Sequence, residues 1–233
     1  MRIDSFNVMT SSIQTPSALL WDLDGTIVDS EDYWIQAEVE LAEAHGGTWT
    51  HEDGMIQVGQ GLPVTAAALQ ARGVEIGIQE IIDFLALRVG QLLEVRIPWR
   101  PGALEMLQAA TAAGIPQAMV TMSVHSIAES VASRIPGVSF DLLITGDRVP
   151  HQKPHPAAYE MAAAGLGFAP ADCLAFEDSP SGMRSAHDSG SALIGVRHLV
   201  ALDESIGTTL WDTLANKTLD DVRTVFTQHK ASS

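Results

Sequence analysis

The sequence predicts an α/β fold, a doubly wound parallel sheet that carries an inserted all-helical segment. Five short apolar runs end in turn signals, which is typical of buried strands. After residue 97 these runs alternate with segments of helical periodicity, and this alternation favours a parallel sheet with helices on both faces. Between the first two runs, residues 32–97 show helical patterns and no clear strand, which indicates a helical insert.

The first half of the chain provides one strand and the insert. A lead-in without predicted structure, residues 1–16, precedes the first predicted strand at 17–22. Helical patterns follow at 31–45, 50–58, 64–71 and 78–95. The first of these ends at Gly46-Gly47, because glycine is a poor helix former and a common stop. The segment 97–102 contains two prolines and predicts a hinge where the chain returns to the sheet.

The second half of the chain completes the predicted sheet. Strands are predicted at 115–121, 140–145, 172–176 and 191–196, and helices at 101–113, 123–134, 155–164, 182–189 and 219–227. Pro101 suits the first turn of the first of these helices, and Gly114 ends it. We therefore predict one domain formed by residues 1–31 and 98–233, and a separate helical unit over 32–97.

The composition excludes several classes of function. The chain has 233 residues, 46% of them hydrophobic, which permits a well-filled core and a smaller insert. The formal net charge of -16 argues against binding to nucleic acid or to anionic membrane surfaces. A single cysteine, Cys173, allows no intrachain disulfide, and no apolar run approaches the length of a membrane span. The N-terminal residues lack the order of a signal peptide, so we expect a cytoplasmic protein, monomeric or homodimeric.

Two aspartates directly follow the first predicted strand. In LLWDLDGTIVDS, residues 19–30, an apolar run ends in Asp22, and Asp24 stands two residues later. Two carboxylates at the end of a buried strand are costly without a cation, and open α/β sheets bind ligands at such strand ends. One aspartate can attack phosphorus, a second carboxyl can protonate the leaving oxygen, and a divalent metal can offset the charge. The alternative is a strand-end turn in which an aspartate caps a helix.

Polar residues also stand at the ends of other predicted strands. Thr121 closes the second strand, Lys153 lies between prolines ahead of a helix, and Glu177-Asp178 follows the fourth strand. Taken singly, each has an ordinary explanation as a helix cap, a solvated lysine or an acidic turn. Because the carboxyl ends of parallel strands share one edge of a sheet, we expect these groups to converge with the two aspartates. Convergent carboxylates, hydroxyl and ammonium suit phosphoryl transfer.

Four motifs resemble those of the haloacid dehalogenase-like hydrolase superfamily and cover essentially the whole chain. They are LLWDLDGT at 19–26, VTMS at 120–123, KPHP at 153–156 and FEDSPSGM at 176–183. The chain is similar to the subfamily with a helical cap after the first motif, which includes sugar-phosphate phosphatases, phosphoglycolate phosphatases and β-phosphoglucomutase. This resemblance implies a Rossmann-like catalytic core and a cap over 32–97. The stretch DSEDYW at 29–34, with KPHP and EDSPSGM, is most similar to phosphatases acting on hexose, deoxyhexose and polyol phosphates.

The resemblance implies a role for each of four polar residues. Asp22 would be the nucleophile that forms an aspartyl-phosphate, and Asp24 would be the general acid and base. Thr121 would bind the phosphoryl oxygens through its hydroxyl group, and Lys153 would neutralise their charge. The expected activity is hydrolysis of a small phosphate monoester, with that ester as the only expected partner.

The resemblance also implies one cofactor, Mg²⁺. Its ligands would be Asp22, the backbone carbonyl of Asp24, and Asp178. Glu177 would be a further ligand or would act through a water molecule. A bound cation would also offset the negative charge that this acidic protein presents to a phosphate ester.

Residues that contact the alcohol part of the substrate are expected in the cap and after the second strand. The candidates, in chain order, are Trp34, Gln36, Gln60, Met122, Ser123 and His125. Met122 departs from the family pattern, in which a small residue is commoner after the hydroxyl-bearing one. We therefore expect Met122 to narrow the space for the substrate.

Two alternatives to a phosphatase remain open at this point. A β-phosphoglucomutase-like phosphomutase needs a cap cation for the second phosphate of its sugar, and no Arg or Lys lies between Arg2 and Arg72. Arg72, Arg88 or Arg96 could still reach the site. A non-catalytic sensor of a phosphorylated metabolite would have lost a catalytic group, and none is missing. Asp24 argues against a dehalogenase, and the absence of a lysine before the KPHP motif argues against phosphonate hydrolysis.

Overall fold

A six-stranded parallel sheet forms the centre of the protein. The structure is a computed structural model that describes residues 13–206 and 208–232, so residues 1–12 of the predicted lead-in lie outside the described residues. The strands are β1 (Ala18–Trp21), β2 (Gln117–Val120), β3 (Leu142–Ile144), β4 (Cys173–Glu177), β5 (Ala192–Val196) and β6 (Thr209–Trp211). They lie in the order β3-β2-β1-β4-β5-β6, and every pair is parallel. β1 therefore lies between β2 and β4.

The predicted fold class is confirmed by the pattern of helices and strands. The α-helices in the described part of the chain are α1 (Glu31–Ala44), α2 (His51–Gln57), α3 (Leu62–Ala71), α4 (Ile78–Val95), α5 (Ala103–Ala112), α6 (His125–Ala132), α7 (Ala157–Gly165), α8 (Pro180–Ser189) and α9 (Leu219–Ser232). Each predicted strand and each predicted helix corresponds to one of the observed strands or helices within a few residues. β6 was not predicted, because only two apolar residues, Leu210 and Trp211, stand together there, and so short a run does not indicate a strand.

Alternate residues of β1 pack into two separate apolar layers. Leu20 belongs to one buried cluster with residues of α7 and α8, and Trp21 belongs to the other with residues of α5, α6 and α9. The Trp21 ring stacks on the Phe176 ring with centroids 4.0 Å apart. Because successive side chains of a strand point to opposite faces, this burial on both faces explains why the strands read as continuous apolar runs.

The insert between β1 and β2 consists of α1–α4, which pack against one another. Two chain crossings join it to the sheet, and they run side by side. The backbone N–H of Asp29 donates to the carbonyl oxygen of Pro98 at 2.8 Å. The backbone N–H of Arg100 donates to the carbonyl oxygen of Ile27 at 2.9 Å. The two crossings are thus paired by backbone hydrogen bonds within the segment 97–102, where the prolines predict a hinge.

Among residues 13–206 and 208–232, no helix is both long enough and apolar enough to cross a bilayer.

Candidate active site

The predicted strand-end residues lie together where β1, β2 and β4 end. Asp22 follows β1, Thr121 follows β2, and Glu177 is the last residue of β4 with Asp178 directly after it. All four are buried. The strand order reverses at β1, because β2 and β3 lie on one side of it and β4, β5 and β6 on the other, and doubly wound sheets form a ligand crevice at such a point.

Lys153 joins two of these carboxylates from the loop before α7. Its Nζ donates to Asp22 Oδ1 at 2.7 Å, to Glu177 Oε1 at 2.6 Å and to the carbonyl oxygen of Val120 at 2.8 Å. Burial lowers the pKa of Lys153, but the charges of Asp22 and Glu177 outweigh burial and hold that pKa above its usual value. The ammonium group therefore stays charged and fixes the orientation of the Asp22 carboxylate.

Glu177 is held by donors of the core on both of its oxygens. Oε1 also accepts a hydrogen bond from the Tyr159 hydroxyl at 2.6 Å, and Oε2 accepts from Ser179 Oγ at 3.3 Å and from the Asp178 N–H at 3.2 Å. Gly182 leaves room for this carboxylate, since a Cβ there would collide with it. Tyr159 was missed by the sequence analysis, although α7 starts shortly after the KPHP motif and Tyr159 lies in its first turn.

Asp178 carries a buried carboxylate oxygen that has no partner. Within the described ranges its Oδ2 accepts no hydrogen bond. Carboxylate oxygens of Asp22, Glu177 and Asp178 lie within 4.8 Å of one another. Burial raises the pKa values of Asp22 and Asp178 well above their usual range, and the neighbouring carboxylates add to this effect. Three carboxyl groups thus share a single ammonium group, and one carboxylate oxygen has no partner. This set of oxygen donors fits a divalent cation.

Gly25 allows the first loop to approach that oxygen. Its φ is 84°, a left-handed conformation that glycine adopts without strain, and a Cβ at this position would collide with the Asp178 carboxylate. The glycine of the DxDGT motif therefore serves both the turn and the space beside Asp178.

The Asp24 carboxylate accepts four hydrogen bonds from the described residues. Oδ1 accepts from Ser30 Oγ at 2.6 Å and from Trp34 Nε1 at 3.0 Å. Oδ2 accepts from Ser123 Oγ at 2.6 Å and from Thr121 Oγ1 at 3.2 Å. The donors come from the core and from the insert, so Asp24 connects the two parts. Ser30 was not predicted, since a serine before a helix is an ordinary N-cap residue.

A cavity of about 90 Å³ lies between the sheet edge and the insert. Asp22, Asp24, Lys153 and Asp178 line it from the core side. Of the six residues expected to contact the alcohol part, four line this cavity: Trp34, Gln60, Met122 and Ser123. Gln36 is instead exposed and donates to Glu40, and the His125 N–H donates to Asp147, away from the cavity.

Two buried acids of α1 also line the cavity and were not predicted. Glu31 and Glu38 are 6% and 4% exposed. With Trp34 they form an i, i+3, i+7 series, which places them on one face of the helix. The spacing of these residues can be read from the sequence. Charged residues on one face of a helix are usually exposed to solvent, however, and only the packing of the insert onto the core shows that these two are buried.

Comparison with known proteins gives the chain a family. Residues 16–190 match the family model described as haloacid dehalogenase-like hydrolase. The chain is 30% identical over 189 residues to Protein CbbY of Rhodobacter capsulatus, covering 76% of this chain and 83% of that protein. It is 29% identical over 170 residues to Hexitol phosphatase B of Escherichia coli, covering 71% of this chain and 77% of the phosphatase.

Solved structures with the same fold include two instructive cases. A mutant CbbY from Rhodobacter sphaeroides in complex with xylulose-(1,5)bisphosphate has a TM-score of 0.79 at 26% identity, covering 87% of this chain and 96% of the other. A β-phosphoglucomutase from Clostridium difficile has a TM-score of 0.78 at 19% identity, covering 93% and 100% of the two chains. At that identity the second similarity concerns the fold alone.

Proposed function

The chain belongs to the haloacid dehalogenase-like hydrolase family, and from this premise we propose that it is a phosphatase for a small sugar or polyol monophosphate. One observation carries the proposal most directly. The Asp22 carboxylate is buried at the sheet edge, its Oδ1 accepts from Lys153, and its Oδ2 accepts no hydrogen bond from the described residues. Asp22 is thus oriented with one oxygen available for attack on phosphorus.

Mg²⁺ is the cofactor that this donor set suits. We propose that Asp22, the backbone carbonyl of Asp24, and Asp178 hold it, which would satisfy the unpaired Oδ2 of Asp178. Glu177 already accepts hydrogen bonds on both oxygens, so we assign it to the positioning of Lys153 and to ligation through water. When bound, Mg²⁺ would neutralise carboxylate charge and bind a phosphoryl oxygen.

The first chemical step transfers the phosphoryl group to Asp22. The free carboxylate oxygen attacks phosphorus, and the bond between phosphorus and the alcohol oxygen breaks. Asp24, in its protonated form, gives its proton to that oxygen, and the alcohol leaves. Lys153 and the Thr121 hydroxyl bind phosphoryl oxygens as charge develops on them.

The second step hydrolyses the aspartyl-phosphate. Asp24, now a carboxylate, takes a proton from water while the water oxygen attacks phosphorus. The bond between phosphorus and Asp22 then breaks, which releases inorganic phosphate and restores the starting carboxylate. The hydrogen bonds from Ser30 and Ser123 hold Asp24 in place through both steps.

The insert acts as a cap over this chemistry, with residues 32–97 as the proposed unit. The cavity of about 90 Å³ is smaller than the roughly 300–1,000 Å³ of typical ligand sites. A substrate therefore enters when the cap moves about the hinge at Asp29 and Arg100, and closure excludes bulk water. We further propose a cytoplasmic enzyme, monomeric or homodimeric, in keeping with its unpaired, buried Cys173.

The charges of the cap favour a monophosphate over a bisphosphate. Arg72 pairs with Asp53, and Arg88 pairs with Glu40 at 2.6 Å. Arg96 is exposed, and none of these three arginines lines the cavity. Lys153 is thus the only Lys or Arg that lines it within the described ranges, so a second phosphate would lack a counter-charge. This observation favours hydrolysis over the phosphomutase alternative.

Phosphate release tests the proposal. We expect the protein with Mg²⁺ to release inorganic phosphate from a hexitol or hexose monophosphate. We expect Asp22→Asn to lower kcat by at least about 10³-fold, because the nucleophile is lost. Asp32→Asn, an exposed change on α1, is the matched control and should keep wild-type rates.

Three outcomes would contradict this assignment. Near-normal turnover by Asp22→Asn would show that Asp22 is not the nucleophile. Formation of glucose 6-phosphate from β-glucose 1-phosphate without phosphate release would identify a phosphomutase. Binding of these esters without any turnover would identify a sensor.

A further inference from the structure

Glu38 is a buried carboxylate in the cap that faces the active-site cavity. It lies on α1 and is 4% exposed, and it lines the same cavity as Asp24, Lys153 and Trp34. Trp34 donates to Asp24, and Glu38 follows it by four residues on the same face of the helix. Because an α-helix rises about 1.5 Å per residue, Glu38 lies about 6 Å along the axis of α1 from Trp34, the residue that contacts Asp24.

The hydrogen-bonding capacity of Glu38 is mostly unused. Trp49 Nε1 donates to its Oε2 at 2.9 Å, and the described residues provide no other hydrogen bond or ion pair to this side chain. A carboxylate can accept about four hydrogen bonds. Burial is the main cause that raises the pKa of Glu38 to about 7, and the Trp49 hydrogen bond opposes it only in part.

The surroundings of Glu38 are built to keep this carboxylate in place. Gly54 of α2 packs directly against it, and a Cβ at Gly54 would lie 2.9 Å from Glu38 Oε2 and 2.8 Å from Ile35 Cγ1. Glu38 is therefore buried without a cation, beside a residue small enough to make room for it. Such a group lowers its free energy when a ligand provides hydrogen-bond donors, and it disfavours a ligand that brings negative charge.

We propose that Glu38 is a specificity residue whose carboxylate accepts a hydrogen bond from a hydroxyl group on the alcohol part of the substrate. The site then selects polyol and sugar monophosphates over esters of apolar alcohols and over bisphosphates. A site that hydrogen-bonds a substrate hydroxyl discriminates strongly against the analogue that lacks it, because the buried polar group is left unpaired. This inference rests on the proposed phosphatase function.

The test compares two esters of equal chain length, a hexitol 6-phosphate and n-hexyl phosphate. Hydrolysis of each is measured with Mg²⁺ for the wild type, Glu38→Leu, Glu38→Gln and Glu43→Gln. We expect Glu38→Leu to lower kcat/KM for the hexitol ester by about 10- to 100-fold relative to the hexyl ester. Glu38→Gln keeps an acceptor oxygen and should restore most of the preference, and Glu43→Gln, exposed on the same helix, should leave it unchanged.

Several results would overturn the inference. An equal decrease in kcat/KM for both esters in Glu38→Leu would mean that Glu38 has a structural role through Trp49. If both values of kcat/KM stayed as in the wild type, Glu38 would not contact the substrate. A wild-type preference for the hexyl ester would also contradict the inference. If Glu38→Leu does not fold, Gly54→Ala displaces the carboxylate instead and must also reduce the preference. Failure of the phosphatase proposal is distinct, since the wild type would then release phosphate from neither ester.

Discussion

At the scale of single residues, the chemistry depends on which donor meets which carboxylate oxygen. Lys153 binds Asp22 and Glu177, while Ser30, Trp34 and hydroxyl groups after β2 bind Asp24. Asp22, the proposed nucleophile, and Asp24, the proposed acid, are thus held by separate sets of donors. This separation suits the proposal that one carboxyl acts as a nucleophile while its neighbour carries a proton.

The raised pKa of Glu38 predicts a stability effect with a definite sign. In the unfolded chain this carboxyl ionises near the ordinary glutamate pKa of 4.5, whereas burial raises its pKa to about 7 in the folded protein. The folded state therefore retains the proton between these values, and the free energy of unfolding decreases as pH rises through that range, by about 3 kcal/mol at most. The glutamine side chain in Glu38→Gln does not titrate. The free energy of unfolding of this variant should therefore increase relative to that of the wild type from pH 5 to pH 7.5.

Urea unfolding at pH 5 and pH 7.5 measures this difference. Glu43→Gln, an exposed change on α1, should show a stability difference from the wild type that does not vary with pH. A difference between Glu38→Gln and the wild type that also stayed constant would mean that Glu38 ionises normally in the folded protein.

At the scale of elements, a side-chain network binds the two chain crossings of the proposed hinge between cap and core. Arg100 Nη1 lies 2.7 Å from His198 Nδ1, and His198 Nε2 lies 2.9 Å from Asp29 Oδ1. Since arginine only donates, Nδ1 accepts, and Nε2 carries the proton that binds Asp29. His198, in the loop after β5, thereby connects both chain crossings to the core.

Removal of this imidazole should loosen the hinge. In His198→Ala we expect the backbone amides of Asp29 and Arg100 to exchange with solvent about tenfold faster, which corresponds to about 1.4 kcal/mol less protection. Native-state hydrogen exchange measures this rate. The matched control is His187→Ala on α8, which removes an exposed imidazole that contacts Asp188 and should leave both amides unchanged. Equal rates in wild type and His198→Ala would show that the backbone bonds alone hold the crossings.

At the scale of the whole molecule, the sheet edge concentrates negative charge in a protein whose formal net charge is already -16. The buried Asp22, Glu177 and Asp178 are opposed by Lys153 alone among the described ion pairs. The folded state thus carries a cost at this edge that a bound cation would reduce.

Metal removal should therefore lower the stability of the entire fold. At a Mg²⁺ concentration of about 100 times its Kd, we expect a gain of about 2.7 kcal/mol over the protein in EDTA, measured as a rise in Tm. Asp178→Asn removes the unpaired charge, so it should be more stable than the wild type in EDTA and should gain little from Mg²⁺. A Tm of the wild type that did not respond to Mg²⁺ would contradict the proposed metal site.

What the sequence by itself determined was the order of elements and the residues at strand ends. Apolar runs, helical spacing, and prolines and glycines act over a few residues, so they revealed the fold class, the insert and Asp22, Thr121, Lys153 and Asp178 as candidates. Only the tertiary structure decided the partners: Tyr159 on Glu177, Ser30 on Asp24, Glu38 at the cavity, and β6 at the sheet edge. These depend on packing between segments that lie far apart in the chain, and local spacing carries no record of which distant donor or cavity a side chain will meet.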